Sequence, residues 1–128
     1  MRKIYCINRN TKIHSAYFTA EEMASKDGAK ELLLSQELLE VLEMIRDNFN
    51  KPVIVNSGYR TPWWNTQVGK SKNSYHCKGM AADIRIKDVS PKEIAKFASE
   101  YMKNYGGVIC YKNFVHVDVR EGYYRKGV

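Results

Sequence analysis

This chain of 128 residues is short of several things, and each shortage removes a class of protein. Its apolar runs, such as Leu32 to Leu34 and Val53 to Val55, are far shorter than the roughly 20 residues that cross a bilayer, so stable membrane insertion is not expected. Cysteine is sparse: Cys6, Cys77 and Cys110 are odd in number and form no CxxC pair, which argues for reduced thiols and against a cysteine-built zinc site. No Gly/Ser linker, repeat or low-complexity tract divides the chain, so a single domain over residues 1–128 is expected, long enough for one core without staples. The opening MRKIYCINRN is basic but lacks the apolar stretch of a secretory signal peptide, which predicts synthesis in the cytoplasm without one. Acidic residues are the minority, 14 against 21 Lys and Arg, and the net charge of +7 favours an anionic partner in general. The basic residues are scattered rather than clustered, so nucleic acid, an anionic wall polymer and a plain solvated surface all fit that charge.

What is present is a globular composition, 44% hydrophobic and 27% charged, with helix and strand signals interleaved. Thr19 and Glu22 form a capping box that predicts a short helix over about residues 20 to 25, stopped by Asp27-Gly28. From Ser35, Leu38, Leu42, Ile45 and Phe49 recur on one helical face and predict the main core helix, ended by Pro52. Val53 to Val55 read as a buried strand running into the turn Asn56-Ser57-Gly58. A second capping box, Ser90 with Glu93 and Pro91 at the first helical position, predicts a helix burying Ile94, Phe97, Ala98 and Tyr101 and ending at Gly106-Gly107. Trp63-Trp64, after Thr61-Pro62, are expected to cover the core beside a short helix.

Two further strands carry the chemistry. In MAADIRI, alternation places Ala81, Asp83 and Arg85 on the face opposite Met80, Ala82, Ile84 and Ile86. In FVHVDVR, the three valines share one face and leave Phe114, His116, Asp118 and Arg120 on the other. A histidine and an aspartate projecting the same way from a β-branched strand need polar partners. With His76 and Asp83 they suggest a metal site of His76, Asp83 and His116 with one open position, the arrangement of catalytic zinc. Gly79 and the small Ala81 and Ala82 would let the chain turn from the loop bearing His76 into the strand bearing Asp83. Spacing alone leaves the plainer reading ahead: a surface His76, a hydrogen-bonded His116, and Asp83 paired with Arg60 or Arg85.

The segments SGYRTP (57 to 62), SYHCKGMAAD (74 to 83) and FVHVDVR (114 to 120), in that order, resemble the zinc D-Ala-D-Ala carboxypeptidase family of peptidoglycan peptidases, phage endolysins included. EEMASKDG, NKPVIVNSGYR and GGVICYKNFVHVDVR extend the resemblance to the small single-domain branch over nearly the whole chain. It implies an α+β fold shared with the hedgehog signalling domain, a central antiparallel sheet flanked by helices. It also implies one Zn²⁺ held by His76, Asp83 and His116, with Arg60 meeting the substrate's carboxylate or carbonyl and Ser74 placed to hydrogen-bond substrate or cap a local turn. Family members place the general base near the last ligand, some just upstream, where this chain has only Tyr111, Lys112, Asn113 and Phe114. Asp118 is therefore the expected base, with a role orienting a ligand histidine as its alternative.

The expected function is hydrolysis of peptidoglycan stem or cross-link peptides by a monomeric carboxypeptidase or endopeptidase, as in a phage or prophage lysis enzyme that reaches the wall or periplasm after assisted release. A metal-bound but non-catalytic wall-binding module is the alternative, and a basic nucleic-acid-binding domain a more distant one.

Overall fold

A computed structural model describes residues 3–68 and 74–128. Strand β1 (Ile4–Asn8) pairs antiparallel with β2 (Glu31–Ser35) in a separate two-stranded ribbon. Between them lies α1 (Ala20–Met23), whose Thr19 and Glu22 make the reciprocal capping box that the sequence predicts. Helix α2 (Gln36–Phe49) follows directly, its first turn capped by the Ser35 hydroxyl, and it buries Leu38, Leu42 and Ile45 as their spacing requires.

The main sheet has the order β3-β4-β6-β5-β7, built from β3 (Ile54–Ser57), β4 (Ala81–Arg85), β5 (Gly106–Cys110), β6 (Val115–Asp118) and β7 (Tyr123–Lys126). Helix α3 (Pro62–Gln67) follows β3, and α4 (Pro91–Met102) crosses between β4 and β5. Helix α4 packs on β5 and β6, and α2 packs on α4 and β2, so one face of the sheet is sealed by helices over a single core. The opposite face of β4 and β6 is left for the polar side chains. The α+β class and the antiparallel centre stand as read from the sequence. One edge differs, because β7 runs parallel to β5 and makes the sheet mixed.

Two local expectations are corrected. Gly106-Gly107 do not end α4, which stops at Met102 with Lys103 in the left-handed region at φ 57°; the glycines are buried and begin β5. Trp63 does not cover the core: it is 61% exposed. The inward residue of α3 is the polar Asn65, because that face of the helix meets the Arg60 guanidinium rather than apolar side chains.

Among the described residues no helix is long and apolar enough to cross a membrane.

Candidate metal centre

Strand register brings the first two groups together. Asp83 on β4 stands directly opposite His116 on β6, and both point to the face away from α4. The third arrives on a 3₁₀ turn, Tyr75–Lys78, that ends at Gly79 immediately before β4. Ser74 caps this turn by accepting the His76 backbone N–H at 3.2 Å. Gly79 has φ 73°, and an added Cβ there would lie 2.4 Å from the Leu33 carbonyl oxygen, so only glycine turns the chain here without moving β2.

The result is a cluster in which one atom each of His76, Asp83 and His116 lies within 4.8 Å of the others. Asp83 Oδ1 is 3.3 Å from His76 Nε2 and 3.1 Å from His116 Nδ1. Ligand atoms about 2.0–2.1 Å from one tetrahedral ion sit roughly 3.3 Å apart, so these separations suit a shared metal.

The remaining atoms of each residue are held by protein. His76 Nδ1 contacts the Gly58 carbonyl at 2.7 Å, which fixes Nε2 as the nitrogen turned to the cluster. His116 uses the opposite nitrogens: Nδ1 faces Asp83, and Nε2 is 2.7 Å from Asp118 Oδ2. Asp83 Oδ2 accepts from Arg60 Nη2 at 3.2 Å. Asp83 is thus an ion-pair partner of Arg60 through Oδ2, while Oδ1 stays turned to the two imidazoles, where it could serve a metal as well.

Asp118 lies behind His116, fully buried at 0% exposure. Arg120 grips it with Nε to Oδ1 at 2.8 Å and Nη2 to Oδ2 at 2.7 Å, and the Arg120 backbone N–H adds a bond to Oδ1. The neighbours of Asp118 across the sheet are Ala81 and Gly107, the smallest available. A Cβ on Gly107 would sit 2.3 Å from Asp118 Oδ2.

Burial alone would raise the Asp83 pKa, but hydrogen bonds from His116 and His76 outweigh it and hold the carboxyl well below its usual range. Asp118 follows the same pattern: burial raises, Arg120 and His116 lower, and the balance is far below an ordinary aspartate. Burial lowers the His116 pKa, yet hydrogen bonds to Asp118 and Asp83 bring it above the free value.

His76, Asp83 and His116 form the floor of an open cleft of about 310 Å³, lined also by Arg60, Ser74, Tyr75, Ile109, Tyr111, Phe114 and Arg120. Tyr111 and Phe114 stack with ring centroids 4.6 Å apart, and the Tyr111 N–H to Phe114 carbonyl bond at 2.9 Å closes the β5–β6 connection beneath them. The structure therefore brings His76, Asp83, His116, Arg60 and Ser74 to one cleft and puts Asp118 on the far side of His116.

A model of the family described as Peptidase M15 matches residues 11–118. The chain belongs to the peptidase M15 family. Within it, the chain is similar to the peptidoglycan L,D-endopeptidase MepK of Escherichia coli K12, 37% identical over 73 residues that cover 53% of this chain and 40% of that protein. It is also similar to the probable peptidoglycan L,D-endopeptidase MepK of Haemophilus influenzae, 42% identical over 76 residues, covering 54% of this chain and 40% of that one. The chain thus matches about 40% of the length of these curated relatives.

Sequence reasoning missed four features of this M15 site. The Gly58 carbonyl orients His76, and Ser57 and Asn65 orient Arg60; no side-chain pattern announces a backbone oxygen or an inward polar helix face. Arg120 did carry a signal, since alternation puts it on the His116 and Asp118 face of FVHVDVR.

Proposed function

We propose that this chain is a single-domain zinc peptidase, monomeric, acting at the wall or periplasm on the stem and cross-link peptides of peptidoglycan, with His76, Asp83 and His116 as the metal ligands. The observation that carries this reading is the convergence of two imidazole nitrogens and one carboxylate oxygen within 4.8 Å at the floor of an open cleft, in a chain of the zinc-dependent M15 family. Three nitrogen and oxygen ligands with access from a cleft match a catalytic rather than a structural zinc site. The activity named for the relatives favours an endopeptidase over removal of a terminal D-alanine. A role in wall lysis, as in phage endolysins, is consistent with that substrate.

Zinc bound there would lower the pKa of a coordinated water to about 7 and polarise the scissile carbonyl. The protein's own contribution is preorganisation. Gly58 holds His76, Arg60 holds Asp83 and Asp118 holds His116, so each ligand is oriented by a partner outside the cluster. Asp118 is assigned this orienting role rather than that of general base, because both its oxygens are occupied by Arg120 and His116 and no part of it reaches the cleft. Ser74 spends an oxygen lone pair on the His76 N–H while lining the cleft, which leaves its hydroxyl proton to donate to a substrate carbonyl.

The test is incubation of the zinc-loaded protein with isolated peptidoglycan, followed by mass spectrometry of the released peptides. Chelator-sensitive cleavage at one peptide position is expected, and it should vanish in His76→Ala. Intact wall under those conditions sinks the proposal. A second reading is favoured by one observation: among the described residues Asp83 is the only carboxylate lining the cleft, and none of them offers a spare acid there as a base. A metal-bound wall-binding module without turnover would carry one zinc, adsorb to wall and release nothing.

A further inference from the structure

Two arginines line the cleft, and the molecule uses them differently. Arg60 is only 5% exposed, and each of its three nitrogens already has a protein acceptor: Nε bonds Ser57 Oγ at 3.0 Å, Nη1 bonds Asn65 Oδ1 at 3.3 Å and Nη2 bonds Asp83 Oδ2 at 3.2 Å. Three of its five N–H donors are engaged in this way and the side chain is almost wholly enclosed, so little of it is open to a ligand entering from the cleft. Arg120 is the more open of the two, with 21% of its side chain exposed. Its Nε and Nη2 fork onto Asp118, while Nη1 has no acceptor among the described residues.

Its plane is also fixed. The guanidinium carbon lies 4.5 Å from the ring centroid of Tyr75 and 5.1 Å from that of Tyr124, so cation–π contacts hold it in place while Asp118 holds its edge. A Cβ on Gly107 would come within 2.8 Å of Arg120 Nε, and the lack of one leaves room for the Asp118–Arg120 pair beside β5. Among the described residues the unengaged Arg120 nitrogen stands at the cleft wall beside Tyr75, where a charged N–H donor suits an anionic ligand.

We propose that Arg120 is the residue that receives a substrate carboxylate in this cleft, where the family resemblance points to Arg60 as meeting a carboxylate or carbonyl, and that the same guanidinium positions His116 through Asp118. The carboxylate belongs to a stem or cross-link peptide, so the inference rests on the peptidase reading above. It adds a specificity residue to that site, and through Asp118 it couples occupation of the anion position to the orientation of His116.

The probes are stem peptides as free acids and the same peptides with their carboxylates amidated, titrated onto the zinc-loaded protein and tested separately as substrates. The protein should bind the acids about tenfold or more tightly than the amides, the scale of one charge-assisted pair in a half-open site. Arg120→Ala should bring that acid-to-amide ratio close to one, while turnover on both falls because His116 is less firmly held. Arg120→Lys, which keeps the charge but not the fork, should retain part of the ratio and covers the case in which Arg120→Ala does not fold. The ratio is the readout, so a general loss of activity cannot imitate the expected result. Equal binding of acid and amide by the unaltered protein, or a ratio unchanged in the two variants, overturns the inference. Arg120-dependent acid binding without cleavage sinks the peptidase reading and leaves this one standing; cleavage with an Arg120-independent ratio does the reverse.

Discussion

Asp118 is gripped on one edge by Arg120 and touches His116 on the other, with no path to the cleft. That placement separates a base from an orienting group by experiment. A base variant keeps its metal and loses turnover, whereas an orienting carboxylate lost as Asp118→Asn should weaken zinc affinity by about 10–100-fold. Part of the activity should then return when zinc is added in excess, and competition against a calibrated chelator measures the change. The ionisations of the cluster predict a pH window for the metal-free protein. Asp83 and Asp118 have folded pKa values below their ordinary 3.8, so they stabilise the fold above that pH and the benefit is lost as pH falls beneath it. His116 is shifted above its ordinary 6.5, so its contribution is complete below that value and disappears as pH rises through the raised one. The melting temperature of chelator-treated protein should therefore peak between about 4 and 6.5. A steady rise from mildly acidic to alkaline pH would contradict the assignment.

Among the elements, β7 is fastened by one side chain. Arg125 Nη1 bonds the Gly106 carbonyl at 2.6 Å, Nη2 bonds the Lys103 and Tyr105 carbonyls at 3.1 Å each, and Nε bonds Ser99 Oγ at 2.7 Å. It joins the end of α4, the start of β5 and the parallel edge strand, and its guanidinium lies 4.2 Å from the Tyr123 ring centroid. Arg125→Ala should cost roughly 2–4 kcal/mol, since several partly buried carbonyls lose a charged donor together. Urea denaturation measures it, and amide exchange in β7 should accelerate before that in β4. The helices were legible from sequence because their signals are local: capping boxes at Thr19 and Ser90, and a four-three-four repeat from Leu38 to Phe49. Strands β4 and β6 were legible because small or β-branched residues alternate with polar ones. Strand β3 was legible in part from the β-branched run Val53 to Val55, although its last two residues read as a turn, whereas β1, β2, β5 and β7 gave no comparable signal. Glu31–Ser35 is a run of leucines without alternation, Gly106–Cys110 opens with two glycines that read as a stop, and β7 is mostly exposed. Its parallel pairing with β5 joins segments that are not consecutive hairpin partners, a long-range fact that no window of sequence contains. Residue types suggested the cluster but only the family resemblance put it ahead of the plainer reading, and the choice of Arg60 over Arg85 as the partner of Asp83 depends on how β3 and α3 sit against β4.

At the scale of the whole molecule, the cluster joins parts of the chain that are far apart in sequence, so a metal bound there would be linked to the fold. Zinc at 100 times its dissociation constant should add about 2.7 kcal/mol to stability, and thermal melts with and without chelator should show that gain lost in His116→Ala. The net charge of +7 belongs to the surface as a whole rather than to the cleft. Adsorption to isolated wall should therefore weaken as salt rises from about 0.05 to 0.5 M, where the screening length contracts to a few ångström, while hydrolysis of soluble stem peptides changes less. Wall adsorption indifferent to salt would remove the case for an electrostatic contribution.

The pairing of Asp83 with His116 across β4 and β6 has an outcome for how the chain can vary. A residue added to the exposed connection at 111–114 leaves that pairing intact, whereas one inserted inside β6 ahead of His116 rotates a valine into the cleft and the imidazole into the oily interior. Ion capture by the proposed ligands would in this sense proofread strand alignment. A cobalt-substituted preparation would report by its colour whether a refolded or redesigned chain has zipped up correctly.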